Sequence, residues 1–251
     1  HTSLAGTRRL GPASIQGTLW DFGSYPGLKE GTGVVTGELH EVDGDVLRRV
    51  DEVEGFDPQD PIGSLYVRRE ISTRRFSGGM SMQAMTYFSN RATAGASPIA
   101  HGDYRRYKAA PKDSQILVIA YGSNLSPQRL APRVKWEDQG VIDEKRSSAV
   151  TGYLEGFRLT FNKMRKAGGA PFANIEHVGG DSRCPAVAWP LSTTEVTFLD
   201  PWEVAPGSEG TFHYYRIGMP FVTVAGIRLC HVYIANPDWI QRPAAPAADY
   251  L

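Results

Sequence analysis

The chain has 251 residues, with 27 Lys and Arg balanced by 27 Asp and Glu. That length accommodates two small domains with a core each, and the even charge balance supplies no basic field for nucleic acid. No apolar run reaches the length of a membrane span and no signal-peptide pattern is present, so a cytoplasmic protein without a membrane partner is expected. The start at His1, without a methionine, suggests a trimmed or partial product.

In chain order, short β segments come first. Residues 15–19, 33–42, 65–71 and 82–88 are apolar or β-branched runs separated by Gly and Pro, the last one partly alternating. Between the second and third, Val46, Leu47, Val50 and Val53 recur at a helical period, which predicts a helix over 45–53 with Asp45 as its N-cap. A closing turn or short helix is expected at 102–107, and Ala109-Ala110-Pro111-Lys112-Asp113-Ser114 is the linker candidate. Residues 116–120 then form a continuous β-branched run, as a buried central strand does. Ser126 followed by Pro127 marks an N-cap and a first helical residue. Further strands are predicted at 152–161, 185–191, 213–219, 221–224 and 227–235, and Thr193 is expected to cap a short helix carrying Val196 and Leu199 toward Asp200. Each half therefore reads as α+β with more strand than helix, over residues 1–110 and 115–251.

One pattern occurs twice: a strand, a few helix-forming residues, then Asp-x-x-Glu. Residues 37–54 and 186–203 align without a gap, which brings Asp51 onto Asp200 and Glu54 onto Glu203. The two segments are expected to superpose. Only the second is preceded by the loop Tyr121-Gly122-Ser123-Asn124-Leu125. A buried strand that ends in a Gly-Ser-Asn turn and enters a capped helix can aim successive N–H groups into one concavity. Such a loop is either an anion nest for a carboxylate or phosphate, or an ordinary strand-to-helix turn; it is not a Walker loop, since no Gly-Lys-Ser/Thr follows. Glu203 sits after Phe198, Leu199, Pro201 and Trp202. A carboxylate among such neighbours loses hydration, its pKa rises, and it can carry a proton both ways near neutral pH. Asp51 and Asp200 are read as capping or turn residues. The six histidines lack ligand spacing, no HExxH or GxSxG is present, and so no metal site is expected. Cys184 and Cys230 read as two buried thiols, and Tyr66, Tyr214 and Tyr215 as strand aromatics that pack into a core.

These residues resemble a known family. Tyr121-Gly122-Ser123-Asn124-Leu125 after a hydrophobic strand is similar to the opening motif of γ-glutamylcyclotransferases. Gly152-Tyr153-Leu154-Glu155-Gly156-Phe157-Arg158-Leu159-Thr160-Phe161 resembles their second strand, and residues 185–203 resemble the strand and helix that end on their catalytic glutamate. The stretch Pro243-Ala244-Ala245-Pro246-Ala247-Ala248-Asp249-Tyr250 resembles a late proline-rich segment with a site tyrosine. In the first half, Gly17-Thr18-Leu19-Trp20-Asp21-Phe22-Gly23-Ser24-Tyr25-Pro26-Gly27 and Val50-Asp51-Glu52-Val53-Glu54-Gly55 resemble the AIG2-like branch.

The resemblance implies a tandem of two γ-glutamylcyclotransferase-like domains, each a small mixed β-sheet or barrel with a few short helices. It also implies the chemistry. The α-amine of a γ-glutamyl substrate attacks its own γ-carbonyl, 5-oxoproline closes, and an amine or amino acid leaves, with no metal or organic cofactor. Carried over, Glu203 moves the proton, Tyr121, Gly122, Ser123, Asn124 and Leu125 hold the substrate, and Tyr214 and Tyr250 edge the site. Glu54 and Tyr66 mark a vestigial site in the first domain, which lacks the loop before Thr7 and is expected to be inactive. The family's glycine after the catalytic glutamate is Val204 here, whereas Gly55 keeps it in the first domain. The partner implied is a small γ-glutamyl molecule, a biosynthetic intermediate that the reaction deprotects being one form of it. The alternative is a catalytically retired binding or regulatory protein on the same fold. The leaving amine stays open, because loops 163–169 and 205–211 would form the pocket walls, and so does the oligomeric state.

Overall fold

Two long strands open the structure, a computed structural model that describes Leu4 and residues 6–109, 115–165, 168–203 and 212–248. β1 (Arg8–Asp21) and β2 (Pro26–Glu41) form an antiparallel hairpin whose register shifts twice, between Arg9 and Gly11 and between Gln16 and Thr18. Such irregularities bend a strand and increase its twist. α1 (Gly44–Glu54) follows. Its N-cap is Asp43, not Asp45: Asp43 is extended and its Oδ1 accepts from Val46 N at 2.8 Å. Gly55 closes the helix in the left-handed conformation at φ 63°. β3 (Tyr66–Arg75), β4 (Ser81–Ser89) and the two-residue β5 (Ser97–Pro98) complete the first sheet, in the order β2-β4-β3-β1-β5 with β1 also on β2. Leu19, Leu28, Val35, Phe88 and Ile99 form its buried core.

α2 (Tyr104–Ala109) begins where the chain divides into two compact units, His1–Tyr104 and Arg105–Leu251. The division precedes the linker expected at 109–114, of which 110–114 lie outside the described residues. Residues 105 and 106 already belong to the second unit. Gly218 packs so closely on their backbone that a Cβ there would lie 2.2 Å from Arg106 N, and His231 Nε2 donates to Arg106 O at 3.2 Å.

In the second unit, β6 (Gln115–Ala120) leads through a 3₁₀ turn at Ser123–Leu125 into α3 (Pro127–Val134) and then α4 (Gln139–Ser148). β7 (Val150–Glu155), β8 (Phe157–Lys163), β9 (Phe172–His177) and β10 (Arg183–Ser192) precede α5 (Thr193–Glu203), and β11 (Tyr214–Thr223) and β12 (Gly226–Ala235) end it. Five strands close a barrel in the order β10-β6-β12-β11-β7, while β8 and β9 form a separate hairpin. β6 is buried as its run of branched residues predicts. Ile116, Val118 and Ala120 share a core with Leu130 and Val134 of α3, Val196 and Leu199 of α5, Trp136 and Trp189. Both cysteines are free and buried, and burial pushes their thiols up, Cys184 to about 11 and Cys230 to about 12.

Further sequence expectations change. The strand expected over 152–161 is two, β7 and β8, because Gly156 turns the chain at φ 78°. The two strands expected at 213–219 and 221–224 are one: Pro220 stays in register opposite Leu229, and β7 meets β11 only at Val222. The cap of α5 is Ser192 rather than Thr193. Ser192 Oγ accepts from Glu195 N at 3.1 Å and Glu195 Oε2 accepts from Ser192 N at 2.6 Å, a reciprocal capping box.

The internal repeat is structural. In each unit a strand runs into an eleven-residue helix that ends on the aligned glutamate. Asp51 and Asp200, read as caps or turn residues, instead anchor those helices to the neighbouring strands. Asp51 accepts from Arg68 and from Tyr87 OH at 2.7 Å; Asp200 accepts from Arg216 at 2.9 Å and from Tyr233 OH at 2.7 Å. Arg68 lies directly across from Tyr87, and Arg216 across from Tyr233. The tyrosines that open β3 and β11 repeat as well: Tyr66 OH donates to Pro26 O at 3.0 Å and Tyr214 OH to Ala173 O at 3.1 Å.

Candidate active site

The end of β6 and the end of α5 meet in a cavity of about 420 Å³ in the second unit. The Asp200 anchor holds the last turn of α5 against the barrel, which fixes where Glu203 can reach. Its side chain is 13% exposed, and Oε1 accepts from Asn124 Nδ2 at 3.0 Å. Asn124 is itself held from two further sides: Trp189 Nε1 donates to its carbonyl at 3.0 Å, and Arg133 Nη1 donates to its Oδ1 at 2.6 Å. With its side-chain oxygen on a guanidinium, the amide must present its NH₂ to the carboxylate.

The charge on Glu203 is contested. Burial pushes its pKa above the ordinary 4.5, while Arg133 (3.8 Å from Oε1), the Asn124 bond and Lys163 pull it back; Asp200 adds to the rise. Burial wins. A carboxylate in that position takes and returns protons nearer to neutral pH than an exposed one.

The 3₁₀ turn uses part of its own hydrogen-bonding capacity. Leu125 N donates to Gly122 O at 2.9 Å and Ser126 N to Ser123 O at 3.4 Å. Among the described residues, the N–H groups of Gly122, Ser123 and Asn124 have no protein acceptor and sit at the cavity wall. They are donors for a ligand's carboxylate or carbonyl oxygen.

The structure brings together Tyr121, Gly122, Ser123, Asn124, Glu203 and Tyr214 around one cavity. Tyr121 is buried and donates from its hydroxyl to Tyr233 O, so its ring is a fixed wall. Leu125 is not part of the cavity: its N–H closes the turn and its side chain is 40% exposed. Tyr250 lies outside the described residues, as do Val204 and the expected wall loop 205–211. In the first unit, Glu54 and Tyr66 line a different cavity, of about 680 Å³, and burial raises the pKa of Glu54. Tyr66 is pushed up to about 12 by burial, with the Glu54 charge adding to it.

Arg133 has no signal in the sequence, whereas Lys163 falls at the start of the expected wall loop 163–169 and does line the cavity. Arg133 occupies the last turn of α3, where a basic residue is ordinary helix chemistry. Lys163, 0% exposed, ends β8 with its Nζ on Met164 O and the rings of Phe172, Tyr214 and Trp239 5.0–5.8 Å away. Burial lowers its pKa to about 8, and the Glu203 charge opposes that shift. Among the described residues no group of three or more His, Cys, Asp or Glu could hold a metal, and no helix is long and apolar enough to cross a membrane.

A glutamate delivered by a strand and helix in each of two strand-rich units, the second of them a closed five-stranded barrel, defines a γ-glutamyl cyclotransferase-like fold. Residues 1–106 match the family described as gamma-glutamyl cyclotransferase, AIG2-like. The whole chain overlays the crystal structure of YkqA from Bacillus subtilis, covering 82% of that chain with a TM-score of 0.69 at 19% identity. A solved structure named gamma-glutamyl cyclotransferase matches 54% of this chain and 73% of its own, at 23% identity and a TM-score of 0.41. An uncharacterized human protein matches 55% and 75%, at 23% identity and a TM-score of 0.40. No curated protein matches the chain.

Proposed function

We propose that the second unit is a γ-glutamyl cyclotransferase that releases 5-oxoproline and an amine or amino acid from a γ-glutamyl substrate. The observation that carries this reading is the 3.0 Å bond from Asn124 Nδ2 to Glu203 Oε1, which puts loop and carboxylate in one cavity. The N–H groups of 122–124 hold the γ-glutamyl group, and Tyr214 bounds it. Glu203 takes a proton from the substrate's α-ammonium, and the freed amine attacks the γ-carbonyl carbon. The new C–N bond closes the five-membered ring. As the bond to the leaving nitrogen breaks, Glu203 returns the proton to that nitrogen, and the ring nitrogen's remaining extra proton passes to the departing amine, which leaves as an ammonium. Holding both reacting groups of one molecule in place supplies much of the acceleration, and the proton shuttle supplies the rest.

The cavity's cations, Arg133 and Lys163 among them, suit a substrate with a free carboxylate. The test is incubation with a panel of γ-glutamyl amines and γ-glutamyl peptides, with 5-oxoproline detected by mass spectrometry in wild type and in Glu203→Gln protein. Release from at least one substrate that disappears in the variant is expected. Saturable binding of γ-glutamyl ligands with no 5-oxoproline from any of them would move the site to the binding-protein reading.

A further inference from the structure

Two cations at the end of β8 crowd one ring. Arg165 Cζ lies 4.3 Å and Lys163 Nζ 5.8 Å from the centroid of Phe172, which pairs with Lys163 across the β8–β9 hairpin. All three residues line the 420 Å³ cavity. Like charges gathered on one ring repel each other, and among the described residues neither forms an ion pair. Lys163 has a hydrogen bond to Met164 O, and Arg165 Nε is buried without a partner. A buried donor left unpaired is costly. A guanidinium stacked on an aromatic ring still has its in-plane donors for a carboxylate, which they can bind in a fork.

Charge balance says which part of a substrate brings the anion. Among the described residues Glu203 is the one carboxylate that lines the cavity, against Arg129, Arg133, Lys163 and Arg165. Glu203 already has Arg133 at 3.8 Å, and burial pushes it toward its neutral form. A γ-glutamyl group carries an α-carboxylate and an α-ammonium, which cancel. Surplus negative charge therefore has to sit on the leaving half. The cations that act on Glu203 are Arg133 and Lys163; Arg165 is not among them, which places it away from the reacting bond. We propose that the second unit selects γ-glutamyl conjugates of a dicarboxylic amino acid, with Arg165 as the residue that takes the side-chain carboxylate of the leaving half. The other carboxylate, next to the scissile nitrogen, stays in the field of Lys163, which is sealed beneath the cavity wall and acts through it. The inference narrows the cyclotransferase reading and rests on it.

The test compares γ-glutamylglutamate with its near-isostere γ-glutamylglutamine, which lacks one charge. Titration calorimetry on Glu203→Gln protein reads binding without turnover, and wild-type protein supplies kcat/KM for 5-oxoproline release from both. γ-Glutamylglutamate is expected to be favoured at least about tenfold in Kd and in kcat/KM. Adding Arg165→Gln should bring the Kd ratio to within about twofold, and Arg165→Glu should make γ-glutamyllysine the preferred ligand. The wild-type comparison stands even if neither substitution folds. Equal handling of the two ligands, preference for γ-glutamylglutamine, or a ratio unchanged by Arg165→Gln would overturn the proposal. Release of 5-oxoproline from uncharged γ-glutamyl amines alone would overturn it and leave the cyclotransferase reading intact. Tighter binding of γ-glutamylglutamate with no 5-oxoproline from any substrate would do the reverse, keeping the acid-selective subsite and removing the reaction.

Discussion

At Glu203 function and stability pull in opposite directions. The glutamate is useful as a base because it is buried, and burial makes its charged form costly. Exchange to glutamine keeps shape and the Asn124 bond but removes the proton carrier, so kcat is expected to fall about 10²–10⁴-fold with little change in KM. Its folding effect has a definite sign. The folded-state pKa is raised above 4.5, so the native protein holds the extra proton between 4.5 and that higher value. Native stability is therefore undiminished below 4.5 and declines as pH rises through the folded pKa. Glu203→Gln should melt a few degrees higher than wild type at pH 8 and at the same temperature near pH 4, by calorimetry. Lys163 acts on the same carboxylate in the opposite direction, holding its pKa down. Lys163→Met keeps the buried stem and removes the charge; the acid limb of the kcat/KM profile should then move to higher pH. Ser123→Ala should cost less than about fivefold in kcat/KM, since the loop binds through N–H groups and the hydroxyl only receives a 3.3 Å contact from Arg133.

Each element that builds the site is fixed by a polar device at one end. The capping box at Ser192 starts α5, and the Asp200–Arg216–Tyr233 cluster pins its last turn to β11 and β12. Removing the carboxylate with Asp200→Ala strands a guanidinium whose side chain is mostly buried, at a cost of about 2–4 kcal/mol in urea unfolding. Because α5 then loses its anchor, kcat should fall in the same variant even under conditions where it stays folded. Ser192→Ala removes only the cap and should cost about 1 kcal/mol with kcat unchanged. The contrast separates holding the helix together from aiming its end.

Across the chain, the same frame occurs in both units and the glycine turn is described in one. Glu54→Gln should therefore leave 5-oxoproline release within about twofold of wild type, whereas Glu203→Gln removes it. Loss of turnover in the Glu54 variant with activity retained in the Glu203 variant would reverse the roles of the units. Their separate cavities give the two glutamates different surroundings: Arg133 and Lys163 balance Glu203, while burial is the cause that shifts Glu54.

Local patterning supplied the strand-rich α+β class, a helix over 45–53 that is found at 44–54, the Ser126 cap and the repeated Asp-x-x-Glu frame. Those features arise from neighbours along the chain: side-chain period, cap chemistry and turn residues act over a few positions. The sequence missed α4, whose polar composition gives only a weak apolar face, and β9, which is short and lies next to Gly- and Lys-rich residues. It misread Asp51 and Asp200, because an aspartate near a helix end looks the same whether it caps that helix or reaches an arginine on a distant strand. Arg133 was silent for the same reason, and Lys163 was legible only as the start of an expected wall loop. Only closure of the barrel brings the end of α3, the end of β8 and the end of α5 around one cavity. Burial and charge balance at Glu203 are sums over residues up to 79 positions apart in sequence, and no local pattern contains them.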